Sequence, residues 1–138
     1  MEKVHIEAIA HVPVEAAWDL YMKPEHIVRW NAASEDWHTP RAENDPQVGG
    51  TYHARMEAKD GSMGFDLIAT YTAVEPGRSF TYEMQDGREV LAAFEAVDDG
   101  TRITLDFDPE AQNPREFQQQ GWQAILDNFV RYAEGLEA

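Results

Sequence analysis

The chain has 138 residues, of which 26 are Asp or Glu and 11 are Lys or Arg, so its formal net charge is −15. A chain of this length is expected to form one domain that buries about two-thirds of its unfolded surface. An acidic surface repels nucleic acid and anionic membranes, so neither is an expected partner. The sequence contains no cysteine, which excludes disulfides, thiolate nucleophiles and cysteine-ligated metal sites. We therefore expect a cytoplasmic protein.

The basic residues of this chain are mostly arginine, since only Lys3, Lys23 and Lys59 are lysines. An acidic surface that is poor in lysine suits concentrated salt, because counterions screen the repulsion between its carboxylates. The same composition also describes an ordinary solvated surface. The sequence is compatible with both interpretations.

The first third of the chain is expected to form a strand followed by two short helices. The first residues, from Val4 to Ala8, alternate between apolar and polar, which is typical of a half-buried strand. Pro13 fits the first turn of a helix, and apolar residues at helical spacing continue until Pro24. Pro24 is expected to open a second short helix over residues 25–29, which ends near Trp30.

The middle of the chain is expected to form an antiparallel meander. After a loop with a short edge strand around Trp37, apolar residues recur at every second position from Gly50 onwards. Asp-Gly and Pro-Gly pairs separate these runs. Asp86-Gly87 is the strongest hairpin signal and predicts a type I′ turn, in which both central residues have positive φ. Consecutive hairpins predict a meander rather than a parallel α/β sheet.

The C-terminal segment is predicted to be an amphipathic helix of about six turns. Its apolar side chains form one stripe at helical spacing, which requires a broad apolar surface, and the inner face of the meander is the only one available. The stripe comprises Trp122, Ile125, Leu126, Phe129, Ala133 and Leu136.

Short sequence segments spread from end to end of the chain together resemble one known family. They are Pro13 to Trp18, Trp30, Val48 to Tyr52, Val74 to Pro76, Gly100 to Leu105, and Gly121-Trp122 with Leu126, Phe129 and Tyr132. Their order and spacing resemble the START-like, or birch-pollen-allergen-like (SRPBCC), superfamily, and within it the bacterial family named after the activator of the heat-shock chaperone ATPase. The resemblance implies an α+β helix-grip fold over residues 1–138 as a single START-like domain. In that fold, a curved antiparallel sheet of six to seven strands wraps a long C-terminal helix, with two short helices after strand one.

In this superfamily the sheet and the last helix enclose a cavity, usually for an apolar small molecule. The resemblance therefore implies a ligand site lined by residues of the inner sheet face and of the helix. Methionines in such a wall make it adaptable rather than selective. The inner-face tyrosines need water, a polar side chain or a ligand as hydroxyl partner, or they are core residues whose hydroxyls reach the rim. The expected lining residues are Tyr52, Met56, Phe65, Tyr71, Tyr82, Met84, Phe94, Trp122 and Phe129.

Three further residues are candidates near the mouth of this cavity. Trp30 and Trp37 are expected on the loop between the second helix and the sheet, either as plugs or as ligand contacts. His38, beside Trp37, is the histidine expected to make a polar contact with a ligand. His53 alternates with Tyr52 and is therefore expected to face solvent.

The sequence offers little support for catalysis. It has no H-E-x-x-H, no serine within G-x-S-x-G and no G-x-G-x-x-G between a strand and a helix. We therefore predict no catalytic residue, no metal ligand and no cofactor.

Three functions remain open from the sequence. The leading hypothesis is non-enzymatic binding of an apolar small molecule, aromatic or acyl. The second is an enzyme that resembles polyketide cyclases or dehydratases, in which Tyr52, Tyr82 and His38 polarise a bound carbonyl. The third is an interaction module like the chaperone activator. A homodimer is compatible with the sequence.

Overall fold

The fold is taken from a computed structural model that describes residues 2–137. This part of the chain has seven strands and three helices. In chain order they are β1 (Val4–Ala10), α1 (Val14–Met22), α2 (Pro24–Trp30), β2 (Trp37–Asn44), β3 (Thr51–Ala58), β4 (Gly64–Glu75), β5 (Ser79–Met84), β6 (Glu89–Val97), β7 (Gly100–Phe107) and α3 (Arg115–Glu137).

All seven strands form one antiparallel sheet in the order β1-β7-β6-β5-β4-β3-β2. Strands β2 to β7 follow one another as hairpins, and β1 pairs with β7 at the far edge. The sheet curls into a half-barrel whose concave side receives α3. This arrangement confirms the predicted α+β helix-grip fold. Within residues 2–137, no helix is both long and apolar enough to cross a bilayer.

The inner face of the sheet is built by residues that alternate along each strand. In the register of the central strands, Met56 lies opposite Phe65 and Tyr71 lies opposite Tyr82. Because directly paired residues point to the same face, this register gathers aromatic and methionine side chains on the concave side. His53 points to the opposite face, where its Nε2 lies 2.9 Å from Asp66 Oδ1. The prediction that His53 faces solvent is confirmed.

The apolar stripe of α3 packs on this concave face, as predicted. The Trp122 ring stacks on Phe107 with 4.1 Å between ring centroids. Further along the helix, Leu126, Phe129 and Ala133 are buried. The predicted continuation of the stripe to Leu136 lies outside the described side chains.

Polar side chains of α3 cover the free edge of β1. Gln119 and Gln123 each donate a hydrogen bond of 3.0 Å, to the carbonyl oxygens of His5 and Glu7 respectively. Four residues of helix rise about 6 Å and two residues of strand about 6.6 Å, so the two spacings match. The α3 helix is therefore held to the sheet edge by polar contacts as well as by its apolar stripe.

The segment after α2 differs from its prediction. A strand of eight residues, β2, replaces the expected loop with a short strand. Trp30 is the last residue of α2 and Trp37 the first residue of β2, so neither lies within the loop. The presence of a strand at Trp37 and its position at the sheet edge were predicted correctly, but its length was not. Its prolines, one of which lies inside the strand, weakened the strand signal in the sequence.

The Asp86-Gly87 turn also differs from its prediction. The amide of Gly87 donates to the carbonyl of Met84 at 2.9 Å, so the central residues of the turn are Gln85 and Asp86. Within this turn, only Gly87 has a positive φ, of 92°. The turn is therefore shifted by one residue from the predicted type I′ turn, and glycine occupies the position after it.

Candidate ligand-binding cavity

A cavity of about 420 Å³ lies between the concave sheet face, the first two helices and α3. Its walls are mostly aromatic and aliphatic side chains. The lining residues are Ile6, Tyr21, Trp30, Asn31, Tyr52, Met56, Phe65, Asp66, Leu67, Ile68, Tyr82, Met84, Gln85, Asp86, Arg88, Leu105, Trp122, Ile125 and Leu126.

The mouth of the cavity lies where β4 begins and β5 ends. Lining residues at this end are exposed, among them Phe65, which is 48% exposed, and Asp86. The rim carries charge, because the Arg88 guanidinium Nε lies 2.7 Å from Asp86 Oδ2. At the opposite end, Tyr21 of α1 and Trp30 of α2 close the cavity with ring centroids 4.7 Å apart. The cavity is therefore apolar inside and polar at its entrance.

Three tyrosine hydroxyls open into the cavity. Within residues 2–137, every side-chain nitrogen or oxygen that solvent cannot reach has a hydrogen-bond partner. The hydroxyls of Tyr21, Tyr52 and Tyr82 form no hydrogen bond with another described residue, so they must be reachable by water. Tyr52 and Tyr82 are only 8% and 7% exposed and both line the cavity, which places that access inside it.

These hydroxyls are neutral hydrogen-bonding groups. Burial raises the pKa of Tyr21 and of Tyr52 well above the usual value, and the neighbouring Tyr82 raises both further. Burial also raises the pKa of Tyr82. Neutral phenols donate and accept hydrogen bonds, so the inner wall offers three donors without a fixed negative charge.

Seven of the twelve residues predicted as ligand contacts line this cavity. They lie on five elements, namely α2, β3, β4, β5 and α3. Alternation and helical spacing had placed all of them except Trp30 on the inner face, and Trp30 had been expected at the cavity mouth. The seven residues are Trp30, Tyr52, Met56, Phe65, Tyr82, Met84 and Trp122.

Three predicted contacts are packed into the core instead of facing the cavity. The Tyr71 hydroxyl donates to Asn44 Oδ1 at 2.7 Å, which turns this ring toward β2. Phe94 packs against Trp18 with ring centroids 5.2 Å apart. Phe129 packs against Trp30 with ring centroids 5.1 Å apart. Each residue is on the predicted face, but neighbouring rings fill the space in front of it.

Two predicted contacts, Trp37 and His38, lie in a separate cleft outside the cavity. The Trp37 ring does reach Phe65 at the cavity mouth, with ring centroids 6.1 Å apart. His38 Nε2 lies 3.8 Å from Glu57 Oε1. The cyclase-like hypothesis thus retains Tyr52 and Tyr82 as donors in the cavity but not His38.

Sequence reasoning missed Tyr21, the third hydroxyl of the cavity. Tyr21 lies at the end of α1, and its ring packs on Phe94 and Phe129 at centroid distances of 5.4 and 5.1 Å. In the sequence, only the position of Tyr21 next to Leu20 on an amphipathic helix indicates that its ring is at least partly buried. The sequence does not show how α1 packs on the sheet, so it could not place the Tyr21 hydroxyl in the cavity.

No group of three or more potential ligands that could hold a metal ion occurs among the described residues. The ionisable residues that line the cavity are its three tyrosines and the rim residues Asp66, Asp86 and Arg88. The Asp66 carboxylate itself points to the outer face of the sheet, toward His53. The arrangement can therefore enclose an apolar molecule and offer hydrogen bonds to it.

A curled antiparallel sheet that grips a long C-terminal helix around an open cavity defines the START-like, or SRPBCC, class of helix-grip domains. Residues 11–134 match the activator of Hsp90 ATPase homolog 1-like proteins, and the chain belongs to this family. Family and fold together support a ligand-binding or activator-like domain. Among curated proteins, none matches the sequence significantly.

Solved structures agree with this membership. The AHSA1-like protein from Aeromonas hydrophila is 44% identical, with a TM-score of 0.87 over 97% of this chain and 94% of that one. A protein from Cytophaga hutchinsonii is 43% identical, with a TM-score of 0.83 over 98% of this chain and 94% of that one. A protein from Nitrosomonas europaea, 15% identical, shares the fold with a TM-score of 0.83 over 99% of this chain and 96% of that one.

Proposed function

We propose that the protein binds a small, largely apolar molecule in the cavity between the sheet and α3. The observation that carries this proposal is a space of about 420 Å³ with apolar walls and three tyrosine hydroxyls that have no hydrogen-bond partner among the described residues 2–137. Its volume falls within the range of roughly 300–1,000 Å³ that is usual for small-molecule sites.

The hydroxyls favour an oxygen-bearing aromatic ligand over an acyl chain. The hydrocarbon part of an acyl chain would displace water from Tyr21, Tyr52 and Tyr82, and its single carbonyl oxygen cannot replace the hydrogen bonds of all three hydroxyls. Each buried hydroxyl without a partner costs about 1–3 kcal/mol. An aromatic ketone or phenol replaces these bonds, and its rings pack on aromatic walls such as the stacked Tyr52 and Tyr82 rings, whose centroids are 5.6 Å apart.

Calorimetric titration with two ligands of similar shape tests this proposal. Dihydroxybenzophenone carries a carbonyl and two hydroxyls, whereas diphenylmethane carries no oxygen. We expect saturable binding of both, with dihydroxybenzophenone about tenfold or more tighter, because only its oxygens pair with the cavity hydroxyls.

A double variant separates hydrogen bonding from shape. Tyr52→Phe with Tyr82→Phe is expected to weaken dihydroxybenzophenone about tenfold and to strengthen diphenylmethane, because an apolar ligand no longer leaves these two hydroxyls without a partner. Tyr132→Phe is the matched control, because that hydroxyl pairs with His26 Nδ1 at 2.6 Å, and Tyr132 is not a lining residue of the cavity. Failure of the folded protein to bind either ligand, or an equal loss for both ligands, would contradict the proposal.

A further inference from the structure

A second cleft of about 340 Å³ lies beside the cavity, between α2, β2 and α3. Four basic side chains line it, each from a different part of the fold. Arg29 comes from α2, His38 from β2, Lys59 from the β3–β4 turn and Arg131 from α3. The tertiary structure therefore gathers these residues, which are far apart in the sequence.

The three permanent cations of this cleft are not neutralised by ion pairs. Within residues 2–137, Arg29, Lys59 and Arg131 have no carboxylate oxygen within 4.0 Å. Arg131 donates instead to the amide oxygen of Asn128 at 3.3 Å. Glu35 also lines the cleft, and its carboxylate forms no ion pair with another residue of the described range 2–137.

Half of the basic side chains without an ion pair are gathered in this cleft. Among residues 2–137, six of the eleven Lys and Arg residues have no carboxylate oxygen within 4.0 Å, and three of these six are Arg29, Lys59 and Arg131. Five Lys and Arg residues do form ion pairs. They are Lys3, Lys23, Arg55, Arg88 and Arg102. Three unpaired cations on one concave surface repel each other, and a bound anion removes that repulsion.

The remaining walls of the cleft are held in place by one part-buried and one buried hydrogen bond. Asn128 Nδ2 donates to the carbonyl of Trp30 at 2.8 Å, and Thr39 Oγ1 donates to the carbonyl of Asn31 at 2.6 Å. The half-buried Trp37 ring supplies an apolar wall. The concave shape is thus fixed by the fold, while the long cationic side chains can adjust to a ligand.

We propose that this cleft binds the phosphate or carboxylate group of a small anionic molecule, with Arg29, Lys59 and Arg131 supplying the positive charge. Guanidinium groups bind both oxyanions through paired hydrogen bonds. A small ligand is favoured over an extended polyanion, because the net charge of −15 repels any large anion that reaches beyond the cleft. The proposal concerns a site separate from the cavity and stands independently of the cavity's ligand.

Titration followed by amide and indole NMR signals tests the proposal. Inorganic phosphate and citrate are added separately, against sodium chloride at equal ionic strength. We expect saturable shifts at the Trp37 indole and at residues 31–35, which line the cleft, that chloride does not produce. Tighter binding of phosphate or of citrate identifies which oxyanion the cleft prefers.

Paired variants localise the effect. Arg29→Gln with Arg131→Gln is expected to weaken the preferred anion about tenfold or more. Arg41→Gln with Arg78→Gln removes the same charge from arginines that lie outside the cleft, so the affinity is expected to stay within about twofold. An equal loss in both double variants, shifts that never saturate, or shifts confined to the cavity mouth would overturn the proposal.

Discussion

Asn44 shows how a single polar residue decides which tyrosine faces the cavity. Its Oδ1 accepts a hydrogen bond from the Tyr71 hydroxyl at 2.7 Å, and its Nδ2 donates to the carbonyl of Met22 at 2.7 Å. The amide thereby joins β2 to β4 and to the end of α1. Tyr71 is satisfied within the protein, whereas Tyr82, directly opposite on β5, has a hydroxyl that is open to the cavity.

Asn44→Ala is expected to destabilise the protein more than Tyr71→Phe. The first change leaves both the Tyr71 hydroxyl and the Met22 carbonyl without a partner, which lowers the free energy of unfolding by about 2–6 kcal/mol. The second leaves only the Asn44 Oδ1 without a donor, which lowers it by about 1–3 kcal/mol. Urea unfolding measures both, with Thr72→Ala, an exposed position on β4, as control. Equal losses for the two variants would show that Asn44 does not hold the α1 end.

At the scale of whole elements, both edges of the sheet are protected against pairing with another chain. Gln119 and Gln123 occupy carbonyls of β1, and the Arg115 guanidinium donates to the carbonyl of Glu2 at 2.6 Å. At the other edge, β2 carries the exposed Pro40 and an irregular register between His38 and Arg41. Proline and bulges both oppose strand addition.

Removal of the polar cover on β1 is expected to expose that edge. In Gln119→Ala with Gln123→Ala, the carbonyls of His5 and Glu7 lose their helix partners, so self-association that depends on protein concentration should rise. Light scattering after size-exclusion chromatography measures this effect. Gln120→Ala, an exposed glutamine on the same helix, serves as control. A double variant that is monomeric at all concentrations would show that other features protect the edge.

At the scale of the whole molecule, carboxylates set the response to acid. Hydrogen bonds lower the pKa of several carboxyl groups. The pKa of Asp108 is lowered by the backbone amide of Glu89 and by the Lys3 ammonium, and that of Glu134 by the amide and ring of His11. A lowered pKa in the folded state adds stability above the unfolded pKa of about 4, and this stability disappears as the pH falls through the folded value.

His5 acts in the opposite direction. Glu7 first and then Asp106 raise its pKa, so the stability it contributes is fully present below its unfolded pKa of about 6.5 and is lost at higher pH. We therefore expect the free energy of unfolding to be greatest between about pH 5 and 6.5 and to decrease on both sides. Urea unfolding at constant ionic strength measures this profile. His5→Gln should reduce the pH dependence of the free energy of unfolding only on the alkaline side of this profile. A free energy of unfolding that still rises below pH 4 would contradict the prediction.

The sequence alone determined the elements and the faces they present. Alternation and helical spacing are local properties, and they located β1, the meander, α3 and six of the cavity's lining residues. Local residue preferences predicted the type of the hairpin turn less accurately, because Asp86-Gly87 is compatible with several turn types. The strand character of β2 was also underestimated, since it depends on pairing with β3.

Only the tertiary structure decided which aromatic side chains of the inner sheet face line the cavity and which are packed in the core. Tyr71 and Tyr82 have the same sequence signal and lie opposite each other, yet only Tyr82 lines the cavity. Likewise, Arg29, Lys59 and Arg131 share a cleft although no spacing in the chain relates them. A cavity is the volume that several packed elements leave unfilled. It therefore depends on contacts between distant residues, which no local periodicity encodes.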